Sequence, residues 1–172
     1  MKLIAEKLGK SEKCDRLRFV RSDGSETQIS MPRQGTLPHD LVHYVVESCL
    51  PFKHGFLSLV AAGSDAGFVI QAIHDPGNPS VETEAVQAEA VVEALQTQLW
   101  AGRFDLDAFL EGAQSASAAR GKPVFDFSGC DPKASLYDYA LNLEERWKLV
   151  PYYQSMCLSF PADQTQRLRE AD

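Results

Sequence analysis

The chain has 172 residues, 44% hydrophobic and 24% charged, a length and balance that suit one domain with its own core. A formal net charge of −7 argues against general nucleic-acid binding, and no apolar run is long enough to cross a bilayer. The N-terminal MKLIAEKLGKSEK breaks its short apolar run with an acid and a lysine. It does not read as a secretory signal, and the expected location is the cytoplasm.

Residues 2–8 (KLIAEKL) and 16–21 (RLRFVR) are expected strands. In the second, Leu17 and Phe19 alternate with Arg16, Arg18 and Arg21, as in a strand with one buried face. SDGS at 22–25 centres an Asp-Gly turn, and ETQISM at 26–31 is the returning strand. The result is a hairpin, or a three-stranded meander with the first segment, ended by Pro32 and Gly35. Pro38 then opens a helix, because its missing N–H would have had no partner at a first helical position. Leu41, Val42, Val45, Val46 and Cys49 give that helix an apolar face, and Pro51 stops it. GFLSLVAAG at 55–63 is a strand or a buried helical turn, GFVIQAI at 67–73 an expected strand, and HDPGNPS at 74–80 a loop.

The second half reads as mainly helical. Ser80 is an expected N-cap, with Glu82 and Glu84 at the positive end of the helix dipole. Val81, Ala85, Ala88, Val92, Leu95 and Leu99 then recur at spacings of four and three. This small-residue seam, with an acidic outer face, serves the core or a homodimer contact. Gly102 closes the helix. Asp105 caps another, carrying Leu106, Phe109, Leu110 and Ala113 and ended by Gly121. FDFSG at 125–129 is a short strand or turn, and Asp131-Pro132 starts a helix over Leu136, Tyr139, Ala140, Leu143, Trp147 and Val150. Pro151 stops it, and YYQSMCLSF at 152–160 is an expected last strand. Trp147, Tyr152 and Tyr153 are expected as aromatic core. Strands first and helices later give an α+β domain over residues 1–160, with 161–172 an expected flexible tail.

Residues 1–21 carry seven Lys and Arg against three acids, and residues 54–102 carry six acids and no Lys or Arg. The simplest reading is two faces that complement each other within the fold or across a dimer. Cys14, Cys49, Cys130 and Cys157 form no CxxC, which excludes a zinc ribbon or thioredoxin-type motif. They are expected as free thiols, two or three of them buried.

One stretch carries chemistry. In LPHDLVHYVVE, residues 37–47, His39 and His43 are four apart. On a helix they share one face with Cα atoms roughly 6 Å apart, close enough for one ion. The helix dipole keeps a first-turn histidine neutral, the form a metal needs. Such a pair accepts zinc, iron, nickel or manganese, zinc being the first expectation. Asp40 is the candidate base, and it equally suits a first helical turn with no metal present. Glu47 lies roughly 12 Å along the axis from His39, too far to share its ion, and is expected either as a hydrogen-bond partner that fixes His43 or as a surface acid. The third ligand must come from elsewhere, with His54 or His74 the candidates.

His39-Asp40-Leu41-Val42-His43 resembles the HExxH helix of zinc metallopeptidases, with aspartate in the place of the catalytic glutamate. Asp40 is one methylene shorter, which argues against peptidase chemistry. LPHDLVHYVVE followed by GFLSLVAAG also resembles a family of small, uncharacterised bacterial proteins that share a PHDxxH-aromatic-x-V-E helix and then a Gly-Phe segment. That resemblance implies a free-standing cytoplasmic bacterial protein and no particular activity. Two functions stand as expectations: a metal-dependent enzyme of the hydrolase class, or a non-enzymatic interaction module, homodimeric through the 81–99 helix and without metal.

Overall fold

The computed structural model describes residues 1–74 and 82–161, His74 by its backbone alone. Strands β1 (Lys2–Glu6), β2 (Cys14–Val20) and β3 (Glu26–Pro32) come first. Helices α1 (His39–Cys49), α2 (Phe56–Ala61), α3 (Ala66–His74), α4 (Thr83–Ala101) and α5 (Leu106–Ala119) follow. A π-helical turn over Lys133–Tyr137 runs into α6 (Asp138–Leu149), and β4 (Ser155–Ser159) closes the order. The fold is α+β, with an N-terminal antiparallel meander and a His-bearing helix after it.

The sheet has the order β3-β2-β1-β4 and is antiparallel throughout. Its alternation follows the sequence. Leu3, Ala5, Leu17, Phe19, Met156 and Leu158 point into the core, while the arginines between them face outwards. Arg18 pairs with Glu6 at 3.1 Å and Glu26 at 3.2 Å, and Arg16 also pairs with Glu6. Lys7 donates to the carbonyls of Trp147 and Val150, both at 2.9 Å, at the negative end of α6. Arg21 donates to the carbonyl of Val60 in the last turn of α2, at 2.7 Å, and to that of Ser64 just past it, at 2.6 Å. Much of the basic N-terminal segment therefore complements the fold from within.

α1 packs between the sheet and α4, and α5 covers the far side of α4. Tyr44 of α1 donates to the Ser159 carbonyl of β4 at 3.2 Å. Phe19 of β2 meets Phe56 of α2 edge to face, centroids 5.7 Å apart. The small-residue seam of α4 belongs to this core: Ala85, Ala88, Val92, Leu95 and Leu99 are all buried within the chain. The outer side of α4 is engaged as well. Gln87 donates to the Pro123 carbonyl, and Arg120 holds Glu93 with two hydrogen bonds. The seam expected to serve core or dimer is thus taken up by the chain itself.

Several local expectations need correction. Residues 67–73 are helical, part of α3, because Asp65 caps them. Its Oδ1 accepts from Phe68 N at 3.0 Å, and its backbone carbonyl accepts from Val69 N. Residues 55–63 resolve to the helical alternative, α2. Residues 125–129 form no strand, only a turn. Pro38 is the N-cap of α1, one position earlier than expected, and His39 is the first helical residue. Trp147 is buried, but Tyr152 and Tyr153 are exposed. No cysteine is fully buried: Cys14, Cys49 and Cys130 are half-buried and Cys157 is exposed. α4 begins at Thr83 with Glu82 at its N-cap, later than the cap expected at Ser80; residues 75–81, with most of the loop expected over 74–80 and Val81 of the seam, and residues 162–172 of the expected tail lie outside the described residues.

Candidate metal centre

α1 is buried over most of its length because it faces the sheet on one side and α4 on the other. Its polar residues are therefore forced inside along with the apolar ones. Asp40, His43 and Glu47 are all buried, His43 with 5% of its surface exposed and Glu47 with none. His39, at the solvent end of the helix, keeps a quarter of its side chain exposed.

The residue that joins the two histidines is Glu89 of α4, 1% exposed. Its carboxylate lies across both rings. Oε1 is 3.4 Å from His39 Nε2, and Oε2 is 3.0 Å from His43 Nε2. One ligand atom each from His39, His43 and Glu89 lies within 4.8 Å of the other two. Ligands on a tetrahedral zinc, each about 2 Å from the ion, stand roughly 3.3 Å apart. The two short separations run to different oxygens of Glu89, and with one oxygen as ligand the three donor atoms stand within 4.8 Å of one another. Nothing in the local pattern of α1 points to Glu89. The available signal was on α4, where an acid stands four after Ala85 and three before Val92 of the apolar seam.

The far nitrogen of His43 is also held. Nδ1 lies 3.2 Å from Glu47 Oε1, and the other Glu47 oxygen accepts from the backbone N–H of Leu57 at 2.9 Å. The expected link from Glu47 to His43 is present. The ring is further flanked by His39 and Phe56, centroids at 5.1 and 5.2 Å.

Three carboxylates surround two imidazoles here, so the centre is rich in negative charge. Burial opposes a charge on His43, but the hydrogen bonds and charges of Glu47 and Glu89 outweigh it and push the imidazole up to about 10. Burial pushes Asp40 upwards, with the two histidines opposing it and Glu89 adding to it. A divalent cation there would offset the negative charge of these carboxylates.

The two candidate third ligands fare differently. His54 is not brought to the pair. Its side chain is 57% exposed, and its Nδ1 lies 3.8 Å from Glu84. Glu84 itself accepts from the backbone N–H of Lys53 and His54, at 2.6 and 2.8 Å, and so ties the loop after α1 to the first turn of α4. His74 ends α3, a helix rather than the expected strand, and its side chain lies outside the described residues. No helix among the described residues is long and apolar enough to cross a membrane. No protein-family model, curated protein or solved structure matches the chain.

Proposed function

We propose that the space between α1 and α4 binds a divalent metal through His39, His43 and Glu89, and that the protein is a metal-dependent enzyme of the hydrolase class. The observation that carries this reading is the convergence of those three side chains from two helices, each within 4.8 Å of the others. Two imidazoles and one carboxylate leave a coordination position free, the hallmark of catalytic rather than structural zinc sites. The same donors suit iron or manganese. The ion would supply Lewis acidity and lower the pKa of a water. The part-exposed edge of His39 gives the centre a route to solvent. Asp40, buried on the same helix with both histidines among its charged neighbours, is the candidate to take a proton from that water.

The test is metal analysis of protein purified without an immobilised-nickel step. About one equivalent of divalent metal per chain is expected, with loss in His39→Ala and in the near-isosteric Glu89→Gln. Metal far below stoichiometry and unchanged in both variants rejects the reading.

A second reading rests on the placement of the His43 ring between Glu47 and Glu89, at 3.2 and 3.0 Å. There the imidazolium between Glu47 and Glu89 is a structural ion cluster joining α1 to α4, and the protein is a non-enzymatic module. It predicts no metal uptake, with stability losses in His43 and Glu89 variants and little in His39 variants.

A further inference from the structure

Glu47 and Gly55 are linked by a steric fact that neither residue shows alone. A Cβ built on Gly55 would stand 2.7 Å from Glu47 Cδ and 3.3 Å from its Cγ, overlapping the carboxylate. These are the acid's buried and least flexible atoms, with the Leu57 N–H on one oxygen and His43 on the other. Gly55 has φ of −70°, so its backbone asks nothing special of glycine. The requirement is for space alone. Every other residue type would push the carboxylate off His43 Nδ1, off Leu57, or both.

We infer that Gly55 and Glu47 act together as positioning residues for the metal centre, resting on the metal reading above. Glu47 accepts from His43 Nδ1–H. With an ion in place of the Nε2 proton, this would fix the tautomer whose Nε2 lone pair faces the ion, and strengthen that nitrogen as a ligand. The Leu57 amide in turn fixes Glu47, so the first turn of α2 serves as the rigid stop against which the ligand is aligned. The ring of Phe56, next in sequence after Gly55, closes the face of His43. The chain around residues 55–57 thus supports the centre without supplying a ligand.

Titration of the apo protein with Co²⁺, and with Zn²⁺ against a chelating indicator, tests this in wild type, Glu47→Gln and Gly55→Ala. Glutamine fits the same space but can accept only one of the two hydrogen bonds. Each variant is expected to bind roughly 10–100-fold more weakly and to show shifted visible bands of bound Co²⁺, reporting a displaced nitrogen ligand. Circular dichroism shows which variants keep the fold, and Glu47→Gln stands as the test if Gly55→Ala does not fold. Wild-type affinity and an unchanged cobalt spectrum in Glu47→Gln overturn the positioning role and leave the metal site standing. A wild-type chain that binds neither ion overturns both.

Discussion

At the scale of single residues, burial decides which charges matter. Asp15 is 2% exposed and is held by Arg33 through two hydrogen bonds, at 2.6 and 3.0 Å, with a third from the Leu8 amide. Lys133 and Asp138 form an ion pair at 3.0 Å with both side chains about half exposed. Removing the partner of a buried charge leaves it desolvated and unpaired, whereas an exposed pair is already solvated. Arg33→Ala is therefore expected to lower the unfolding free energy by about 3 kcal/mol, and Lys133→Ala by no more than about 0.5 kcal/mol, both from urea melts. Equal effects would contradict the assignment. The cysteines follow the same logic. Burial, with Cys130 adding to it, pushes the Cys49 thiol up to about 11, so it holds almost no thiolate at pH 8. Mass-spectrometric mapping of alkylation at that pH should find exposed Cys157 modified first and Cys49 far behind.

At the scale of elements, ends and faces explain what could be read in advance. β2 was legible because Leu17 and Phe19 alternate with arginines that the fold leaves outside. α5 was legible from its cap: Asp105 Oδ1 accepts from Ala108 N at 3.1 Å. Asp105→Ala should lower stability by about 1 kcal/mol in a thermal or urea melt, and no change would mean that the cap is redundant. α3 was misread because GFVIQAI is apolar almost throughout, and such a run does not distinguish a period of two from one of 3.6. The deciding sign was Asp65, a cap hidden in what looked like an ordinary turn. Two of the three residues of the candidate centre were legible for a related reason. His39, His43 and Glu47 lie on one helix, so spacing relates them. Glu89 arrives on α4, and only the packing of α4 against α1 brings it there. Its place four after Ala85 and three before Val92 of the apolar seam was the trace it left in the sequence.

At the scale of the whole molecule, the chain is stacked as sheet, α1, α4 and α5, and the candidate centre bridges the two middle layers. A ligand there joins elements far apart in sequence, so its binding should be felt by the whole cooperative unit. A metal present at 100 times its dissociation constant stabilises the folded state by about 2.7 kcal/mol. The thermal midpoint of wild type should accordingly rise with added Zn²⁺ and fall with a chelator, while that of His39→Ala should respond to neither. A midpoint indifferent to metal in wild type would tell against the α1–α4 site.

The position of β1 has a consequence for biosynthesis. It lies between β2 and β4, and Lys2 is paired with Ser159. During translation β1 is made well before β4, with β2, β3 and all the helices between them. Through most of that interval the nascent chain carries a meander with one edge unpaired, the edge that β4 will later cover. An open edge can recruit a strand from another chain, and closing so long a loop is slow. The emerging protein thus passes through a stage in which a neighbouring nascent chain on the same message can take the place of its own last strand.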